Sequence, residues 1–121
     1  MKFWLISGAA FALLSVALGA FGAHALKNVL DAYSKAIYET AVQYQMFHAL
    51  ALLAVGILQH IFRQLDFSWS GYAFFIGILL FSGSLYILAV SGIRWLGAIT
   101  PLGGVAFILG WAMLIWKLLK V

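Results

Sequence analysis

The side chains best suited to chemistry lie in one stretch of an otherwise apolar chain, from Glu39 to His48. Within ten residues it holds a carboxylate, two amides, a hydroxyl, a phenol and an imidazole. Such groups can transfer protons, ligate a metal ion or hydrogen-bond a small molecule. Thr40, Tyr44 and His48 recur every four residues, so in a helix they share a face, with Glu39 and Gln43 beside it. The stretch predicts a polar helix surface, but its residue types do not select one reaction.

The composition places this chain in a membrane. Of its 121 residues 66% are hydrophobic and 8% are charged, and the mean hydropathy is +1.10. A soluble domain carries about 25% charged residues because its surface must be hydrated, so most of this surface must face lipid. The lack of cysteine excludes disulfides and thiolate sites. The net charge of +4 is scattered along the chain, which predicts membrane lipids as partners and no nucleic acid.

Four apolar runs predict an all-α integral membrane protein with a single domain. At about 1.5 Å per residue, each run is long enough to cross a hydrocarbon core of about 30 Å. The predicted spans cover residues 3–24, 40–62, 69–91 and 100–119. The pair Thr100-Pro101 predicts where the last span begins, with Thr100 as its N-cap.

The segment 26–38 has the pattern of a short amphipathic helix that lies at the membrane surface. Its apolar residues fall on one helical face, and its charges alternate in sign at intervals of four residues. A straight extension of the second span is the alternative, because neither Gly nor Pro occurs between Ala25 and Gly56. The apolar set is Leu26, Val29, Leu30, Tyr33 and Ile37, and the charged set is Lys27, Asp31, Lys35 and Glu39.

The first apolar run also has features of a signal peptide, since Lys2 precedes it and Ala23-His24-Ala25 follows it. The apolar part of a signal peptide usually has about 7–15 residues. This run is longer and three further runs follow, so a retained membrane helix is favoured.

Small residues at helical spacing predict close contacts between helices. The contacts could form within one bundle or between the copies of a homo-oligomer. The residues concerned are Gly8, Ala12, Ser15, Gly19, Gly83, Gly103, Gly104 and Gly110.

Four spans place both termini on one side of the membrane. That side carries four basic residues and the other side carries three, and this excess favours cytoplasmic termini. The same topology gathers the polar residues at the opposite mouth of the bundle. There it predicts an ion pair of Glu39 with Arg94, and a hydrogen-bonded or metal-binding pair of His24 with His48. The complete candidate cluster is His24, Glu39, Gln43, Tyr44, His48, Arg94 and Thr100.

Four motifs in a fixed order suggest a family. They are Gly19-Ala-Phe-Gly-Ala-His24-Ala-Leu26, Tyr44-Gln-Met-Phe-His48-Ala-Leu, Phe81-Ser-Gly-Ser-Leu-Tyr86, and Ile99-Thr-Pro-Leu-Gly-Gly104 with Gly110-Trp111. The chain resembles the YgdD/YwdK family of small bacterial inner-membrane proteins, a domain of unknown function with an animal relative among the numbered transmembrane proteins. The resemblance covers nearly the whole chain. It implies four helices in the bacterial plasma membrane, and it brings no activity and no catalytic residues.

Three functions fit these features. The first is a non-enzymatic bundle that binds a small molecule, a lipid or a partner helix at its polar mouth. The second is a small transporter or channel subunit working as an oligomer, although no Asp, Glu, Lys or Arg falls in the middle of a predicted span. The third is a metal-assisted enzyme using His24, His48 and Glu39. These three residues do not have the spacing of a recognisable metal-binding motif. The sequence therefore predicts no catalytic residue, no metal site and no cofactor.

Overall fold

The computed structural model describes residues 2–121 as a bundle of helices. Helix α1 spans Lys2–His24 and α2 spans Ala32–Ile61. The third membrane helix starts as α3 (Ser68–Gly77), continues through a π-helical segment (Ile78–Ser82) and ends as α4 (Gly83–Ser91). A 3₁₀ turn (Arg94–Ala98) leads into α5 (Thr100–Leu118). Four helices are thus long and apolar enough to cross a membrane, which confirms the predicted all-α membrane fold.

Helix α2 lies at the centre of the bundle. Helix α1 packs along it, α4 packs against its first half, and α3 packs against α5. One set of buried side chains, including Leu52, Phe74 and Phe107, joins α2, α3 and α5. In contrast, Leu13 on α1 and Ile108 on α5 are 68% and 69% exposed. Many further large apolar side chains are exposed on the outer surface, as expected for a bundle that faces lipid.

The connection between α1 and α2 corrects the prediction of an interfacial helix over 26–38. Residues 25–31 form a compact turn, in which the Val29 N–H donates to the Leu26 carbonyl at 3.1 Å. Asp31 is the N-cap of α2, because its carboxylate accepts the Ser34 N–H at 2.7 Å. This cap starts a new helix at Ala32, so the charges at Lys27 and Asp31 are not on a common helix. The remaining residues 32–38 are the first turns of α2.

The cap at Asp31 predicts a pH dependence of stability. Its hydrogen bonds with Ser34 hold the pKa of the exposed Asp31 carboxyl below its ordinary value. A carboxyl whose folded pKa is depressed contributes stability that is present above the unfolded pKa, about 3.9, and is lost as the pH falls through the folded value. The melting temperature should therefore begin to fall below about pH 5 and continue to fall as the pH drops through the folded pKa. Asp31→Asn keeps the capping oxygen without titrating, so it should show a smaller fall.

The third membrane helix contains the only π-helical segment within residues 2–121. Over Ile78–Ser82 the backbone follows π-helical rather than α-helical geometry. Such turns insert one extra residue into a helix and change the face that the following side chains present. Here the Ser82 hydroxyl reaches α2 and donates to the Ala41 carbonyl at 2.7 Å. The apolar sequence of this segment gave no sign of the irregularity.

Candidate functional site

The structure divides the predicted polar cluster into separate groups. His24, Glu39 and Gln43 line a cavity at one end of α1 and α2. Tyr44 and His48 instead stack with Phe107 of α5. Neighbouring helix positions differ by about 100°, so Gln43 and Tyr44 face different partners although they are adjacent in sequence. The prediction of one common cluster is therefore wrong.

The cavity has a volume of about 560 Å³ and lies between the last turns of α1, the connection and the first turns of α2. Its inner wall is formed by Gly19, Gly22 and Val42, with the ring of Tyr38. Tyr38 is fixed there because its hydroxyl donates to the Leu18 carbonyl at 2.6 Å. A Cβ at Gly22 would lie 2.3 Å from Cε1 of the Tyr38 ring, so only glycine admits this ring at its present place. The polar part of the rim consists of His24, Lys27, Lys35, Glu39 and Gln43.

The charges at the cavity rim do not neutralise one another. Within residues 2–121, Lys27, Lys35 and Glu39 form neither hydrogen bonds nor ion pairs with other side chains. The predicted ion pair of Glu39 with Arg94 is also not formed. Arg94 is exposed on the 3₁₀ turn between α4 and α5 and does not line this cavity. The rim therefore presents two cationic side chains and one carboxylate to the same space.

His48 links α2 to α5 and does not pair with His24. Its ring is buried and stacks on Phe107, with 3.5 Å between the ring centroids. Nε2 accepts the indole N–H of Trp111 at 3.0 Å, and Nδ1 lies 2.8 Å from the Tyr44 carbonyl oxygen. The indole can only donate, so Nε2 is unprotonated and Nδ1 carries the proton. Both nitrogens are thus occupied, and the predicted His24–His48 pair is wrong.

This arrangement predicts the tautomer of His48. Nitrogen-15 spectra of the full-length protein should show a neutral ring protonated at Nδ1 and not at Nε2. In Trp111→Phe the indole donor is lost, and Nε2 would be left without a partner, at a cost of about 1 kcal/mol. Trp69→Phe, which alters an exposed tryptophan on another helix, should leave the His48 signals unchanged. A ring protonated at Nε2 in the wild type would contradict the hydrogen bond from Trp111.

Gln45 is the polar residue that sequence reasoning missed. It is 3% exposed, and its amide nitrogen donates to the Phe11 carbonyl of α1 at 2.8 Å. Its amide oxygen accepts the Tyr86 hydroxyl of α4 at 2.7 Å, so one side chain links three helices. The sequence feature that could have identified Gln45 is the periodicity of the buried positions in α2. Gln45 lies four residues after Ala41 and four before Ala49, on the buried stripe of α2.

Comparisons with known proteins agree with this architecture. The sequence profile of the family described as "Protein of unknown function (DUF423)" matches residues 18–104. The chain belongs to the DUF423 family. It is 50% identical to a UPF0382 membrane protein of Staphylococcus saprophyticus over 121 residues, covering 100% of both chains. It is 49% identical to the UPF0382 membrane protein YwdK of Bacillus subtilis, covering 99% of this chain and 98% of YwdK. The predicted relation to YwdK is confirmed, and no solved structure matches.

Most predicted small residues of this DUF423 protein lie at helix contacts, but Gly83 does not. A Cβ at Gly8 would lie 2.8 Å from the Ala49 carbonyl oxygen, and one at Gly110 would lie 2.7 Å from the Phe74 ring. At Gly19 the nearest atom would be a Val42 methyl at 3.3 Å. Gly83 makes no such contact within the bundle, because no atom of another helix of this chain lies within 4 Å of its Cβ position.

Short hydroxyl side chains of the DUF423 chain act as links between helices. Ser15 on α1 donates to the Val42 carbonyl of α2 at 2.8 Å. Ser84 on α4 and Thr100 on α5 are joined through their hydroxyl oxygens, 2.6 Å apart. Thr100 is therefore used to hold α5 against α4 and does not cap α5, which corrects the predicted N-cap. Each of these polar groups inside the bundle already has a partner in a neighbouring helix.

Proposed function

We propose that this membrane protein is a non-enzymatic lipid-binding bundle, and that the cavity between α1 and α2 holds the lipid headgroup. One observation carries the proposal. Charged side chains that have no partner line a cavity of about 560 Å³, whereas buried polar side chains such as Ser15, Gln45 and Ser82 bond to neighbouring helices. Groups that hold helices together need no ligand, whereas unpaired charged groups around a concave surface are free to bind one.

The depth of the cavity supports a lipid rather than a water-soluble ligand. Helix α2 has 30 residues, so at 1.5 Å per residue it is about 45 Å long and exceeds the hydrocarbon core by roughly 15 Å. Its first turns, which carry Lys35 and Glu39, therefore reach the headgroup layer. The inner wall near Gly19 and Val42 lies closer to the hydrocarbon. A molecule in this cavity is positioned as a lipid headgroup would be.

An apolar crevice of about 220 Å³ supports an amphiphilic ligand. It lies on the α4 side of Tyr38 and is lined by Leu18, Phe21, Leu26, Tyr38, Tyr86, Ile87 and Val90. Tyr38 forms part of both concave surfaces. A polar headgroup site and a groove for an acyl chain are thus adjacent at the same end of α1.

We further propose that the protein resides in the bacterial plasma membrane with both termini in the cytoplasm. The named relatives are bacterial membrane proteins, and the four helices return the chain to its starting side. The basic residues Lys2, Lys117 and Lys120 near the termini support this orientation. The cavity would then open toward the outer leaflet.

The proposal is tested by native mass spectrometry of the full-length protein purified in a mild detergent. The wild type should retain a lipid-sized adduct. Val42→Phe should lose it, because the larger ring extends from the inner wall into the cavity. Val16→Phe is the matched control, since Val16 is 63% exposed on the lipid-facing side of α1. Equal retention of lipid by the wild type and Val42→Phe would contradict the proposed site.

A further inference from the structure

We infer that the cavity selects a headgroup carrying both a phosphate and a primary ammonium, as in phosphatidylethanolamine; this inference rests on the lipid-binding function proposed above. Lys35 and Glu39 are one helical turn apart on α2, and Lys27 approaches from the connection. Opposite charges at such spacing on a helix commonly pair. Here they line the cavity without pairing, within the described residues 2–121.

The mixture of charges decides between headgroups. A headgroup that offers only a phosphate would meet Lys27 and Lys35 favourably, but Glu39 would face it as an uncompensated like charge. A headgroup with only a cation would be attracted by Glu39 but repelled by Lys27 and Lys35. A phosphate joined to an ammonium can place each charge opposite its complement and form charge-assisted hydrogen bonds to both.

The carboxylate also distinguishes a primary ammonium from a quaternary one. A primary ammonium has three N–H donors, which a carboxylate oxygen can accept. A trimethylated headgroup has the same charge but no donor. Aromatic cages, rather than carboxylates alone, are the usual means of binding quaternary ammonium groups. The rim offers Glu39 and Gln43 as acceptors, and the only aromatic ring of the described lining besides His24 is Tyr38.

The inference is tested by titrating the full-length protein in detergent with synthetic dioleoyl lipids that differ only in headgroup. Binding is measured by native mass spectrometry. Phosphatidylethanolamine should bind about three- to tenfold more tightly than phosphatidylglycerol or phosphatidylcholine, the ratio expected for one partly screened charge-assisted contact. Glu39→Gln should remove this preference in two ways, by weakening phosphatidylethanolamine and by relieving the like-charge repulsion that phosphatidylglycerol meets. Combined Lys27→Gln and Lys35→Gln should weaken all three lipids, since all three carry the phosphate.

Asp31→Asn is the matched control for Glu39→Gln. It makes the same change in charge at the same end of the bundle, outside the cavity lining, and should keep the preference. A preference for phosphatidylglycerol, or equal binding of phosphatidylcholine and phosphatidylethanolamine, would overturn the inference and leave the lipid site intact. If Val42→Phe changes the binding of no lipid, the proposed function fails, and the inference fails with it.

Discussion

The Gly103→Ala variant is expected to melt at a markedly lower temperature than the wild type. A Cβ at this position would lie 2.4 Å from the Phe81 backbone nitrogen and 2.8 Å from its Cα. The obstructing atoms belong to the backbone of the π-helical segment, so no side-chain rotation can relieve the overlap. Helix α5 must move away from the third membrane helix, and overpacking of this kind costs about 1–3 kcal/mol or more.

The adjacent Gly104→Ala variant is the control for this prediction. It adds the same methyl group to the same helix, but the nearest atom, on the Phe81 ring, would lie 4.0 Å away. Gly83→Ala meets no atom within 4 Å. Because Ala is favoured over Gly in a helix interior by up to about 1 kcal/mol, both controls should be neutral or slightly stabilised. Thermal unfolding in one detergent measures all three, and equal melting temperatures for Gly103→Ala and Gly104→Ala would contradict the assigned contact.

These glycines show what the sequence could predict about helix packing. Apolar length alone determines that four helices cross the membrane, because backbone groups in lipid must bond within a helix. The spacing of small residues also indicated close helix contacts. It could not separate Gly103 from Gly104, or show that Gly83 meets no other helix of this chain, because the side that faces a neighbour depends on the rotation of each helix. The π-helical segment changes that rotation immediately before Gly83.

The candidate site was predictable only in part for the same reason. His24, Glu39 and Gln43 share a cavity, as their common side of the membrane suggested. Tyr44 and His48 were placed in the same cluster because the topology puts them at the same mouth of the bundle, yet they face α5. The cap at Asp31 could have been recognised as a helix start, and it would have replaced the interfacial helix with an irregular connection. That connection carries Lys27 to the cavity rim.

Gln45→Leu is expected to be the most destabilising polar-to-apolar change in α2. Leucine has a similar size and suits an apolar interior, so a purely hydrophobic account would predict no loss. The substitution instead removes the bonds to the Phe11 carbonyl and the Tyr86 hydroxyl, and it leaves that hydroxyl without its acceptor. Side-chain hydrogen bonds between membrane helices contribute about 0.6 kcal/mol each on average and up to about 1.7. The free energy of unfolding should therefore fall by about 1–3 kcal/mol.

A double-mutant cycle separates this network from a general intolerance of Gln45 to change. Tyr86→Phe removes one bond and should cost about 1 kcal/mol, since the Gln45 oxygen loses its donor. In the double variant the two residues have no bond left to break, so the combined loss should be smaller than the sum of the single losses. Gln43→Leu makes the same substitution two residues earlier at an exposed position and should unfold like the wild type. If the losses at Gln45 and Tyr86 were additive, the two side chains would not be coupled, and the link from α1 through α2 to α4 would not exist as described.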